Sequence, residues 1–305
     1  MKKMIHVLCI VLCCIGALLA AAVVLLRYLV NRPAVAAGYF GHTNAVEKLE
    51  QRYTARGGYE TAVYTLRGGE GADRCRVWYP KALDQSDALW PVVVMANGTG
   101  IPSSKYEAVF EHLASWGFLV VGNDDASSWS GSSTVSALEA LLTADADSES
   151  LFYHRVDRAN IGAAGHSQGG VGALNAAVSC DRFTSLYTAS MTWPDLAAAL
   201  EWPYDPSAVT VPWFFTAGTG KADAETISPL AAMDSLFDQC KSGKLTVMAR
   251  RKDTDHGEML AGADGYMTAW FCSTLKKDGN AAAVFTGEQP ELAANPLWQD
   301  VRIRD

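Results

Sequence analysis

The pentapeptide Gly165-His166-Ser167-Gln168-Gly169 fits G-x-S-x-G, a spacing that can make a serine a nucleophile. Its setting says more than its letters. An apolar run, Ile161-Gly162-Ala163-Ala164, precedes it, and a small-residue segment of helical character, 168–178, follows it. A serine at a sharp strand-to-helix turn presents its hydroxyl to solvent, and glycines two residues to either side let the crossing backbones approach. The first helical turn then aims its N–H groups and the positive end of its dipole at any oxyanion formed there. The chemistry open to such a serine is acyl transfer through attack on a carbonyl.

A serine hydroxyl attacks poorly until a base takes its proton. Six histidines are available. His6 lies in the apolar N-terminal segment, His42 in a linker, His112 in the middle of a helix before the serine, and His154 in a polar loop. His166 adjoins the serine, and its side chain points away from that of Ser167. His256 alone follows the serine in a loop after a strand (residues 253–257), as the chain order nucleophile, acid, base requires. The acid belongs just past the preceding strand, 212–217, where it would hold the imidazole in one tautomer. Asp223 and Glu225 are both in range, and Asp223 is favoured because a shorter carboxylate in a tighter loop suits a triad. Asp195, Asp253 and Asp255 read as solvated loop acids or local caps. One oxyanion N–H comes from the residue after the nucleophile, Gln168. The second is expected from the loop 96–100, with Thr99 as the donor.

These residues need strands to carry them. Residues 61–66 and 74–79 are rich in β-branched and aromatic types around a Gly-rich turn, and predict an antiparallel hairpin. Short apolar runs at 91–95, 118–122, 160–164, 184–190, 211–217 and 245–249 predict buried strands. Helical spacing appears at 103–116, 135–142, 168–178, 227–239 and 258–275. Strands alternating with helices imply an α/β fold, with a mainly parallel sheet flanked by helices. Residues 193–212, between two strands, are expected to form a small cap over the cleft. The tail from Asp278, with Gly279, Gly287, Pro290 and Pro296, is expected to wrap the surface.

Composition bounds the partners. The chain has 305 residues, 49% of them hydrophobic and 19% charged, enough for a large core. Net charge is −8, and the basic Lys2, Lys3, Arg27 and Arg32, with no acid before residue 36, leave −12 on the rest. So acidic a body with no basic stripe excludes nucleic acid as a partner. No Cys or His spacing suits zinc, so neither a metal nor another cofactor is expected. Cys75, Cys180, Cys240 and Cys272 either pair as disulfides in an exported body or remain buried thiols.

Lys2-Lys3 precede an uncharged stretch from Met4 to Leu26, closed by Arg27. That length suffices for a membrane-spanning helix and exceeds an ordinary signal-peptide core. The expected organisation is an anchor or signal peptide over 1–30, a juxtamembrane linker with a short helical piece over 31–57, and a catalytic domain over 58–305. The body is expected to be monomeric and extracytoplasmic, tethered to a membrane by the N-terminal helix, or secreted if the segment is cleaved.

With these motifs in hand, the chain resembles the α/β-hydrolases of the dienelactone hydrolase and bacterial cutinase (polyester hydrolase) branch, an arrangement shared with chlorophyllases. The resemblance rests on residues 91–95 with Asn97-Gly98-Thr99-Gly100, on Leu113-Ala114-Ser115-Trp116-Gly117-Phe118, and on Gly165-His166-Ser167-Gln168-Gly169-Gly170, and spans roughly 59–275. It implies a metal-free serine esterase with Ser167 as nucleophile, His256 as base, an aspartate as acid, and Thr99 and Gln168 as oxyanion donors. It also implies that Trp193 packs on aromatic or acyl groups of a small-molecule or acyl ester substrate. Two departures stand out. The acid loop is long, and Glu225 occupies the place where the family pattern suggests an aspartate. The competing readings keep the fold: an acyltransferase, thioesterase or peptidase on the same triad, or a surface binding protein without activity.

Overall fold

A computed structural model of the chain describes residues 32–66 and 75–305, together with Ala20, Ala21, Val24 and Leu25. The expected membrane helix therefore lies almost wholly outside the described residues. Among those described, no helix is long and apolar enough to cross a membrane.

Among the described residues nine strands form one sheet: β1 (Thr61–Thr65), β2 (Arg76–Pro80), β3 (Trp90–Ala96), β4 (Leu119–Gly122), β5 (Val156–His166), β6 (Ser185–Ala189), β7 (Trp213–Gly218), β8 (Thr246–Arg251) and β9 (Trp298–Arg304). Their order is β1-β2-β4-β3-β5-β6-β7-β8-β9. Neighbours from β4 through β8 pair in parallel, whereas β1, β2 and β9 pair antiparallel at the two ends. The expected fold class and the hairpin are thus present. Strands such as β3 and β7 are buried along their whole length, which explains their unbroken apolar runs. Alternate side chains enter separate cores. Val92, Val94 and Ala96 join one, and Val93 and Met95 the other. Burying one such side chain contributes roughly 1.5–3 kcal/mol, so two stacked cores hold the central strands rigidly.

Three expectations need correction. The tail does not merely wrap the surface: Trp298–Arg304 adds β9 antiparallel to β8. Its charged alternation, Gln299, Asp300, Arg302 and Arg304, conceals a strand that is only half buried. The segment expected as a linker packs, from Val35 onward, within one compact unit that runs to Asp305. Val35, Tyr39 and Tyr53 are core residues, and the helix α1 (Lys48–Thr54) carries a buried Glu50. Glu50 Oε1 accepts from Arg251 at 2.7 Å and from Trp298 Nε1 at 2.9 Å, joining α1 to β8 and β9. A segment rich in polar residues looks like linker until its one buried acid is seen to have partners. The expected helix over 258–275 is also interrupted, at Ala263, between Met259–Gly262 and Asp264–Lys276.

Of the body cysteines, Cys180, Cys240 and Cys272 are thiols, and burial pushes Cys272 up to about 12. Cys75 is buried on the segment leading into β2.

Candidate active site

The C-terminal ends of β5, β7 and β8 gather the residues singled out above. In a parallel sheet, loops leaving that edge are the natural carriers of a site.

Ser167 follows β5 and precedes the helix α2 (Gln168–Ser179) with φ 59° and ψ −126°, a left-handed, strained conformation for a residue with a side chain. Holding it there costs on the order of 1–3 kcal/mol, which the surrounding packing must supply. Ser167 N–H donates to Ala189 O at 3.0 Å, and Gly170 N–H donates to Ser167 O at 2.9 Å. Two glycines are sterically obligatory. A Cβ on Gly165 would lie 1.9 Å from Gly169 O, and one on Gly169 would lie 2.2 Å from Ala96 O. The elbow therefore exists only because β5, α2 and the end of β3 touch backbone to backbone.

Gln168 is buried, and its side chain fastens a neighbouring loop. Its Oε1 accepts from Ser128 N–H at 3.1 Å, and Ser128 Oγ donates to Asn97 O at 2.5 Å. In the loop after β3, Gly98 N–H donates to Tyr106 Oη at 3.0 Å, and Gly100 N–H donates to Ala126 O at 2.9 Å. Between these two tethered amides Thr99 is exposed, and among the described residues no acceptor takes its N–H.

His256 stands past β8, and its Nδ1–H donates to Asp223 Oδ1 at 2.8 Å. The His256 side chain is 23% exposed and that of Asp223 is 0% exposed, so the imidazole reaches solvent while the carboxylate does not. Asp223 Oδ2 accepts from Ser190 Oγ at 2.5 Å and from Gly218 N–H at 2.7 Å. Glu225, the other acid in range, is exposed two residues along the same short helical turn, Asp223–Ile227. That turn explains the long loop: it folds Asp223 back under the end of β7. The structure pairs His256 with Asp223, and no hydrogen bond joins Ser167 Oγ to His256.

His166 links the elbow to the loop that carries His256. Its Nε2–H donates to His256 O at 2.8 Å, and the two rings lie 4.6 Å apart. Burial, reinforced by the adjacent His256, lowers His166 to about 4, which keeps it a neutral donor. The sequence places this side chain on the far side of the elbow from that of the serine and offers no signal of a partner for it. Ser190, with φ 46°, was likewise missed, because its bond to Asp223 spans 33 residues that only the sheet brings together. Trp193 is half-buried in the segment after β6. It opens the short helix Pro194–Ala199, and its N–H donates to Ile227 O at 3.0 Å. The expected cap thus contains this helix and a turn at Pro206–Ala208. Among the described residues no group of three or more His, Cys, Asp or Glu side chains is arranged to hold a metal.

A mostly parallel sheet with helices and a strained serine elbow at its C-terminal edge is the architecture of an α/β-hydrolase. A family model described as PET hydrolase-like matches residues 44–277, and the chain belongs to that family, which implies ester hydrolysis. No curated protein matches the sequence.

Proposed function

We propose that the protein is a serine esterase that cleaves carboxylic esters through Ser167, His256 and Asp223. The observation that carries this reading is the 2.8 Å bond from His256 to a fully buried Asp223, on the sheet edge that also bears the strained Ser167. In the reaction, His256 Nε2 takes the proton of Ser167 as Oγ attacks the ester carbonyl. Asp223 holds the imidazole in the tautomer with Nδ1–H and stabilises the imidazolium. Gln168 and Thr99 donate their backbone N–H groups to the oxyanion of the tetrahedral intermediate. His256 then protonates the departing alkoxide. A water, deprotonated by His256, attacks the acyl-enzyme, and the carboxylic acid leaves as Ser167 regains its proton. The half-buried Trp193 is assigned to pack against the acyl or aromatic part of the ester.

Membership in a PET hydrolase-like family supports an ester with an aromatic acyl group. The segment over 193–212 supports small esters ahead of a polymer chain. The uncharged stretch from Met4 to Leu26 supports tethering of this body to the outer face of a membrane. The test is hydrolysis of p-nitrophenyl acetate, butyrate and benzoate, with labelling by a fluorophosphonate. Ser167→Ala is expected to abolish labelling and lower kcat by at least about 10³-fold. Undiminished turnover in that variant would refute the assignment.

A further inference from the structure

Asp255 directly precedes His256, and in the sequence it resembles an ordinary loop acid. Its carboxylate accepts three backbone N–H groups from two different loops. Oδ1 takes His256 N–H at 2.8 Å and Asp223 N–H at 3.1 Å, while Oδ2 takes Ala222 N–H at 3.2 Å. The clamp is itself held in place. Glu258 Oε2 accepts Asp255 N–H at 3.0 Å, and Glu258 N–H donates to Asp255 O at 2.8 Å. Gly220 lies so near that a Cβ on it would come within 2.4 Å of Asp255 Cβ.

We propose that Asp255 is a positioning residue whose carboxylate ties the amide of the triad acid to the amide of the triad base. The inference rests on the esterase reading above. Its physical basis is the end of the β-ladder. Strands β7 and β8 pair only as far as Gly218 and Arg251. Beyond that point Thr219 N–H still donates to Arg251 O at 3.0 Å and Gly220 N–H to Thr254 O at 2.9 Å, but no backbone–backbone bond joins Ala222 or Asp223 to Asp255 or His256. A local cap of the His256 turn requires only the amides of that turn. The bonds to Ala222 and Asp223 reach across to the other loop, where they take free amides at the start of the helical turn that carries Asp223, so one carboxylate holds both turns. Three backbone donors, His256 N–H foremost, also hold the Asp255 carboxyl below the usual carboxylate range, which favours its charged, accepting form. His166 grips the carbonyl of His256 while Asp255 grips its amide.

The experiment compares full-length wild type, Asp255→Ala and Asp255→Asn. Asparagine keeps one oxygen for the His256 and Asp223 amides but puts an NH₂ group opposite Ala222 N–H. A displacement of about 1 Å at a reacting group can cost 10²-fold. Asp255→Ala is therefore expected to lower kcat roughly 10- to 100-fold with KM within about twofold, and Asp255→Asn to fall between it and wild type. The far-downfield proton resonance of His256 Nδ1–H is expected to weaken in Asp255→Ala and to persist in Asp255→Asn. A drop in melting temperature with kcat and that resonance unchanged would overturn the proposal and leave Asp255 a local cap. If the alanine variant does not fold, the asparagine variant makes the same comparison. Failure of the wild type to label with fluorophosphonate would count against the esterase reading instead, while the resonance still reports on the clamp.

Discussion

Asp223→Asn probes the proposed acid most directly, because the surroundings of Asp223 dictate how the new amide must turn. Oδ2 of the native carboxylate accepts from Ser190 Oγ and from Gly218 N–H, and Oδ1 accepts from His256 Nδ1–H. Gly218 N–H is a backbone donor that cannot reverse its role. The asparagine oxygen must therefore face Gly218, and its NH₂ must face His256. A donor opposite Nδ1 selects the tautomer with the proton on Nε2, where the imidazole cannot accept the proton of Ser167. Loss of the correct tautomer in a triad is worth about 10⁴ in kcat, equivalent to about 5.5 kcal/mol of transition-state stabilisation. The opposite orientation sets Gly218 N–H against the NH₂ group in a fully buried position, at about 1–3 kcal/mol, so no more than roughly a tenth of the molecules keep the productive tautomer, and the expected loss in kcat lies between about 10-fold and 10⁴-fold. Steady-state hydrolysis of p-nitrophenyl butyrate measures the effect, with Glu225→Gln as the control. Glu225 is exposed, and its substitution is expected to change kcat by less than about twofold. Activity within tenfold of wild type for Asp223→Asn, or a large loss for Glu225→Gln, would refute the reasoning and reassign the acid.

Two histidines should shift stability with pH in opposite directions. His166 is lowered to about 4, so between that value and about 6.5 the unfolded chain binds a proton that the folded chain does not. Its contribution is present above about pH 6.5 and lost as the pH falls toward 4, by as much as roughly 3 kcal/mol. Denaturant unfolding of His166→Phe is expected to show a flatter profile across that window than wild type, and parallel profiles would contradict the assignment. His112 behaves inversely. Burial lowers it, but Asp264, 2.9 Å away with both side chains fully buried, and the carbonyl of Ala55 outweigh that effect and raise it. Its stabilisation is complete below about pH 6.5 and is lost as the pH climbs through its raised value. Asp264→Ala should cost about 3–5 kcal/mol at pH 6, and the difference from wild type should shrink in alkaline solution.

Much of the site was legible because its signals are local. The elbow needs Gly165, Ser167 and Gly169 at fixed spacing between an apolar strand and a small-residue helix, and all of that lies within about twenty residues of chain. Among the six histidines, His256 is set apart by position alone, and the structure places it against Asp223. The acid stayed divided between Asp223 and Glu225, because two carboxylates two residues apart look equivalent until the turn that carries them is folded. Asp255 and Glu258 have the D-x-x-E spacing of a capping box, so the cap was open to reading. The reach of Asp255 to Ala222 and Asp223 was not, since it depends on the adjacency of β7 and β8. The same reason hid β9 and the packing of residues 35–57: an edge strand and a polar segment show little apolar periodicity, and their partners are far away in the chain.

The sequence by itself determined the strand–elbow–helix unit, the alternation that builds a parallel sheet, and the chain order in which Ser167, two candidate carboxylates and His256 follow one another. Each follows from residue types within reach of one another along the backbone, where sterics and hydrophobic period act. Only the tertiary structure decided which carboxylate faces His256, what fastens each loop to the next, and that the chain from Val35 onward is part of the body. Those outcomes rest on hydrogen bonds between segments many residues apart, and their geometry exists only once the sheet has brought those segments side by side.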